Sequence, residues 1–162
     1  MKISNNSITN LKKLKKRKVC IVVSNFYPRI SNMLVEGALN KLKKNNISEF
    51  IIYTVPGTYE IPTTLSNLIY QKENIHIFDG FIALGCVIKG ETPHFDYICS
   101  SVMNAITNLS VKSKIPIGNG ILTCNKKDQA IQRADPKRGD RGGDAANAVI
   151  SFFNLFQYDY EE

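Results

Sequence analysis

The chain has 162 residues, of which 43% are hydrophobic and 22% charged, enough for one domain with a substantial buried core. No apolar run approaches the roughly 18 residues of a membrane span, and the N-terminus lacks the apolar centre of a secretory signal, so a soluble cytoplasmic protein is expected. The net charge of +7 is unevenly placed: Lys2, Lys12, Lys13, Lys15, Lys16, Arg17 and Lys18 precede any acidic residue, and from Val19 onward 14 basic residues meet 14 acidic ones.

Such a segment before a neutral body reads as a solvated basic leader over residues 1–17. A basic patch on the folded body would instead suggest nucleic acid. An organellar transit peptide fits less well, because the segment is rich in lysine instead of arginine and is not clearly amphipathic.

In chain order, "KVCIVVSN" (18–25) is short, β-branched and followed by Pro28, the signature of a buried strand. Ile30, Met33, Leu34, Gly37, Ala38 and Leu42 then share one helical face, which ends in the polar "KKNN" at 43–46. "FIIYTVPG" (50–57) is a second strand, closed by Pro-Gly. A helix marked by Ile61, Leu65, Leu68 and Ile69 starts near Glu60 and Pro62.

"DGFIALGCVI" (79–88) is the most hydrophobic strand; an all-apolar strand must be covered on both faces, so it is expected at the centre of the sheet. Helical spacing resumes from Pro93 through Ile98, Val102, Ile106 and Leu109, and "IPIGNGILTC" (115–124) is strand-like. Asn125 suits the N-cap of a short helix holding Ala130 and Ile131. After "ADPKRGDRGGD" (134–144) a last helix carries Ala145, Ala148, Val149, Phe152, Leu155 and Phe156. Four strand–helix alternations predict an α/β fold over 18–162, a three-layer sandwich with a four-stranded parallel sheet flanked by helices. Ligands in such folds bind beyond the carboxyl ends of the strands.

Those ends hold the chemistry-bearing residues. At "VIKGETPHFD", Gly90 allows backbone to approach a ligand, and the amides of Glu91 and Thr92 precede a helix start suited to an anion. His94 then falls in the first helical turn, where its ordinary pKa near 6.5 suits proton transfer; taken alone, it reads more readily as a solvated loop histidine. His76, in the polar approach to the third strand, reads as solvated.

Arg133, Lys137, Arg138 and Arg141 fall within one turn-rich stretch, which matches a phosphorylated ligand or a solvated loop. Asp144 suits orienting a histidine or, the more common role, capping the last helix. Phe26 and Tyr59 are aromatics at strand tips, fit to wall a flat heterocycle or to extend the core, with Glu60 as an acceptor for hydroxyls or ring N–H groups. The cysteines Cys20, Cys86, Cys99 and Cys124 show no C-x-x-C spacing, so neither a disulfide framework nor a metal site is indicated. Nor does "GNG" at 118–120 have dinucleotide-loop spacing.

Taken together, "SNFY", "VPGTYEIP", "ALGCVIKGETPHFDYIC", "IPIGNGILT" and "QAIQRADPKRGDRGGDAA" resemble the lumazine synthase family of riboflavin biosynthesis, from about Lys18 to the end. The resemblance implies condensation of 5-amino-6-(D-ribitylamino)uracil with 3,4-dihydroxy-2-butanone 4-phosphate, with release of phosphate and water and no cofactor or metal. By motif, Phe26 is expected to stack on the pyrimidine, and Thr58, Tyr59 and Glu60 to hold the ring edge and ribityl chain. Cys86, Val87 and Ile88 would supply backbone contacts. Glu91, Thr92 and Arg133 would hold the phosphate. His94 falls on the proton-transfer position, with Asp144 and Arg141 as possible support.

The resemblance also implies a homo-oligomer, a ring of five in which Asn119 and Arg133 reach the site from the neighbouring subunit. Three departures from the family pattern stand out. Asn119 replaces the phenylalanine of many members, turning an expected stacking contact into a hydrogen bond. Arg141 replaces a lysine, and the turn "ADPKRGDRGG" differs from the small-residue turn of members that form sixty-subunit shells, favouring a free pentamer. Two competing readings are a non-catalytic flavin-binding shell, which loss of His94 or Arg133 would signal, and a nucleic-acid module driven by the leader.

Overall fold

The computed structural model describes residues 16–71 and 77–156. Most of the basic leader and His76 lie outside the described residues. Four strands, β1 (Lys18–Ser24), β2 (Glu49–Val55), β3 (Gly80–Ile88) and β4 (Ile117–Cys124), form one all-parallel sheet in the order β2-β1-β3-β4. The helices are α1 (Pro28–Lys44), α2 (Ile61–Ile69), α3 (His94–Ser113), α4 (Lys127–Ala134) and α5 (Arg141–Leu155). A 3₁₀ turn over Thr58–Glu60 leads into α2.

Alternation along the strands sends Val19, Ile21 and Val23 into one core with Leu34, Ala38, Ala130, Ala146 and Val149 of α1, α4 and α5. Cys20 and Val22 face the opposite core with Ile61, Leu65, Val102 and Ile106 of α2 and α3. The sheet is therefore covered on both faces, as the expected sandwich requires. β3 runs between β1 and β4 and is buried for its first seven residues, which bears out its central position.

The strand β2 is different. Ile51, Ile52 and Tyr53 are exposed in the single chain, because β2 is a sheet edge and the helices cover the sheet centre. Apolar composition marked it as a strand but not as an edge strand.

Two helix caps and one helix face differ from expectation. Asn125 does not cap α4: Lys126 takes the N-cap position in extended backbone, and the Asn125 N–H donates to Gln129 Oε1 at 3.0 Å. Asp144 does not cap α5 either. That role belongs to Asp140, whose backbone is left-handed (φ 41°) and whose side chain accepts from the Gly143 N–H at 3.2 Å. The inward face of α5 is Gly142, Ala145, Ala146, Val149 and Ile150 with Phe153 half-buried, whereas Ala148, Phe152, Leu155 and Phe156 are exposed; the expected apolar stripe is rotated by about one residue.

The "GDRGGD" turn is a packing device. A Cβ on Gly142 would collide with the Leu34 carbonyl, and one on Gly37 with the Asp140 carboxylate. Close approach of α1 and α5 thus depends on both glycines.

Candidate active site

The strand order reverses between β1 and β3, and the tips of these strands open a crevice of the kind that holds ligands in α/β sheets. A cleft of roughly 230 Å³ lies there. Phe26 and Tyr27 follow β1, Gly57, Thr58 and Tyr59 follow β2, Cys86, Val87 and Ile88 end β3, and His94 and Ile98 come from the first turns of α3.

Each wall has a local cause. Ser31 of α1 donates through its hydroxyl to the carbonyls of Ser24 (2.5 Å) and Tyr27 (3.1 Å), which locks the turn that projects Phe26. Phe26 is 66% exposed and Tyr59 59%, so neither belongs to the core. Tyr27 meets Phe26 edge-on, with ring centroids 4.9 Å apart and planes at 72°, a favourable aromatic geometry that holds the Phe26 ring.

Thr58 is buried, and its hydroxyl donates to the Cys86 carbonyl at 3.4 Å. Gly85 makes this possible: a Cβ there would come within 3.0 Å of Thr58 Oγ1 and 3.2 Å of Ile61 Cδ1. Glu60 folds its carboxylate back over the tip, so that a Cβ on Gly57 would lie 2.8 Å from Glu60 Oε2. His94 is the first residue of α3 and exposed to the cleft mouth. Space above Gly90 is open, with no atom within 4 Å of a Cβ built there.

Burial pushes the Cys86 thiol up to about 12, with Cys124 and Cys99 adding to the shift. It therefore stays protonated at neutral pH and does not offer a thiolate nucleophile. Burial of Tyr27, and Cys86 beside it, also raise the Tyr27 phenol above its ordinary value. All four cysteines are free thiols, and among the described residues no group of histidine, cysteine and acidic side chains is arranged to hold a metal ion.

Of the residues singled out from sequence, the cleft assembles Phe26, Thr58, Tyr59, Cys86, Val87, Ile88 and His94. Glu91 and Thr92 lie in the exposed loop between β3 and α3, beside the cleft but not lining it. Arg133 is exposed on the last turn of α4, in the layer opposite α2 and α3, where its charge acts on Cys124. Asn119 stands exposed on β4 beside Ala83, some five residues, or about 17 Å of strand, before the carboxyl end. Arg141 and Asp144 pair with each other at 3.0 Å on the surface of α5. Sequence reasoning missed Tyr27, Gly57 and Ile98; the "SNFY" and "VPGTYE" blocks contained the first two, while Ile98 is visible only as a helical core residue.

The geometry defines a class: a parallel α/β fold with a cleft at its strand-order reversal, walled by aromatics and edged by a histidine. Residues 16–157 match the family model of 6,7-dimethyl-8-ribityllumazine synthase. The chain is 42% identical over 135 residues to the 6,7-dimethyl-8-ribityllumazine synthase of Limosilactobacillus reuteri (strain DSM 20016), covering 83% of this chain and 86% of that relative. The chain belongs to the 6,7-dimethyl-8-ribityllumazine synthase family, the transferases that form the lumazine in riboflavin biosynthesis. No helix among the described residues is long and apolar enough to cross a membrane.

Proposed function

We propose that the chain condenses 5-amino-6-(D-ribitylamino)uracil with 3,4-dihydroxy-2-butanone 4-phosphate in a site shared between neighbouring subunits of a homopentamer in the cytoplasm. One observation carries the shared site. The single-chain cleft, at roughly 230 Å³, is smaller than the ~300–1,000 Å³ of a site that encloses a small molecule, and Asn119 and Arg133 lie outside it. The open apolar edge of β2, with Ile51, Ile52 and Tyr53, supports a neighbour that covers it.

Within this site the pyrimidine stacks on Phe26. Thr58, Tyr59 and Glu60 hold the ring edge and ribityl chain, and Cys86, Val87 and Ile88 contribute backbone groups. Glu91 and Thr92 cradle the phosphate, which the neighbour's Arg133 grips as a fork of parallel donors. The ring amine attacks the ketone and loses water to give an imine, phosphate is eliminated, and ring closure expels a second water. His94 shuttles the protons, at a helix start that also favours the departing anion. The Arg141–Asp144 pair supports the anionic end of the site in the assembled ring.

Subunit mixing tests the assignment. With butanone phosphate held well below its KM, His94→Ala and Arg133→Ala are each expected to lose most lumazine formation, and unfolding and refolding them together should restore activity. In a ring whose sites combine two chains, about a quarter of the sites in an equal mixture recover both wild-type groups. Full activity in both single variants would sink the assignment of the residues; two inactive variants that never complement would sink the shared site.

A further inference from the structure

The Asn119 side chain is held at both ends. The Phe81 N–H donates to the Pro116 carbonyl and the Lys89 N–H to the Cys124 carbonyl, so the even-numbered residues of β4 carry the ladder to β3. The N–H of Ile121 therefore points outward from the sheet edge, and there it donates to Asn119 Oδ1 at 3.0 Å.

A backbone N–H only donates, which fixes the amide oxygen on the strand side. Nδ2 is left to face α3, where it donates to Met103 Sδ at 2.9 Å; a thioether only accepts, so this half of the arrangement has one orientation as well. Met103 itself is half-buried and packed into the core beneath α3. The amide plane is thus pinned between β4 and α3. With its oxygen and one Nδ2 hydrogen engaged, the Asn119 amide keeps one lone pair and one Nδ2 hydrogen at its edges, and anchorage at both ends holds its flat face in one orientation.

We propose that Met103 is a positioning residue that holds the Asn119 amide as a planar wall against the aminouracil ring bound by the neighbouring chain. Asn119 then meets the ring with its flat face, its anchored edges being turned to β4 and α3. This rests on the shared-site reading above. It also revises the expectation that replacing an aromatic by Asn119 exchanges stacking for hydrogen bonding.

The test is steady-state kinetics of the assembled enzyme with each substrate varied in turn, on Met103→Leu, Asn119→Ala, Asn119→Phe and the double variant Met103→Leu/Asn119→Phe. Leucine keeps the volume and removes the acceptor. Loss of one weak hydrogen bond that orders the wall should raise the aminouracil KM about two- to fivefold, with kcat and the butanone phosphate KM unchanged. In the Asn119→Phe background, where the wall needs no orientation, Met103→Leu should have no further effect. A merely structural methionine would shift the KM equally in both backgrounds, which overturns the proposal. If Asn119→Ala raises the aminouracil KM while Met103→Leu does not, the positioning role fails and the shared site stands. If Asn119→Ala leaves that KM unchanged, the assignment of Asn119 to the site fails and the proposal fails with it.

Discussion

The Thr58 hydroxyl donates to the Cys86 carbonyl at 3.4 Å, joining the tip after β2 to the end of the central strand at the floor of the cleft. Thr58→Val keeps the shape and removes the donor, leaving a carbonyl without its partner in a buried position. Stability should fall by about 1–2 kcal/mol, read from urea unfolding. The aminouracil KM should rise as the Thr58–Glu60 turn loosens, while the butanone phosphate KM stays near its original value.

Tyr27 is expected to act through Phe26. Tyr27→Leu removes the edge-on ring at 4.9 Å and with it about 0.5–1.5 kcal/mol of aromatic contact, so aminouracil should bind several-fold more weakly. Tyr27→Phe keeps the ring and should leave binding near the original affinity. Isothermal titration with the pyrimidine substrate or its ring analogue distinguishes the two.

His94→Ala should lower kcat by about a hundredfold or more, the usual contribution of a positioned proton-transfer group, while pyrimidine affinity is largely retained. Arg133→Ala should instead act on the KM for the butanone phosphate. Rapid-mixing measurements of phosphate release and lumazine fluorescence check this division.

Alkaline stability should report the buried thiols. Burial raises both Cys20 and Cys86 to about 12 from an ordinary value of 9.0. The folded state holds these protons after the unfolded chain releases them, so the stabilisation is complete below about pH 9 and is lost as pH rises towards 12. The slope is up to about 1.4 kcal/mol per pH unit per thiol. Urea unfolding at a series of alkaline pH values should show this decline, and Cys86→Ala should make it shallower.

Gly142→Ala should be strongly destabilising, because its Cβ would meet the Leu34 backbone and α1 and α5 must then separate. Overpacking costs typically 1–3 kcal/mol where side chains can yield, and a backbone carbonyl yields less. A fall in the thermal midpoint, with the site residues unchanged, is the expected outcome.

Hydrophobic period and punctuation made most of the fold legible. The alternation of β-branched runs with helical stripes sufficed for four strands, a parallel sheet and β3 at its centre, because a strand apolar on both faces has few other places to go. Strand tips were legible for the same reason, and with them Phe26, Thr58, Tyr59, Cys86 and His94. Less legible was anything set by a rotation of a few tens of degrees or by a competing cap. The stripe of α5 shifted once Gly142 docked on Leu34, and Asp140 displaced Asp144 as its cap, since a left-handed turn is invisible to apolar spacing.

By itself the sequence determined the α/β class, the set of residues gathered at the carboxyl rim and the resemblance to the lumazine synthase family, all of which depend on local pattern and residue chemistry. Only the tertiary structure decided which of those residues share one wall. The strand order brings the tips of β1 and β3 together, leaves Arg133 on the opposite layer and makes β4, which carries Asn119, an edge of the sheet. The physical reason is that strand order, helix docking and the orientation of a side-chain amide depend on contacts between segments distant in sequence. Asn119 shows this most clearly: its amide is oriented by the Ile121 N–H at one end and Met103 Sδ at the other.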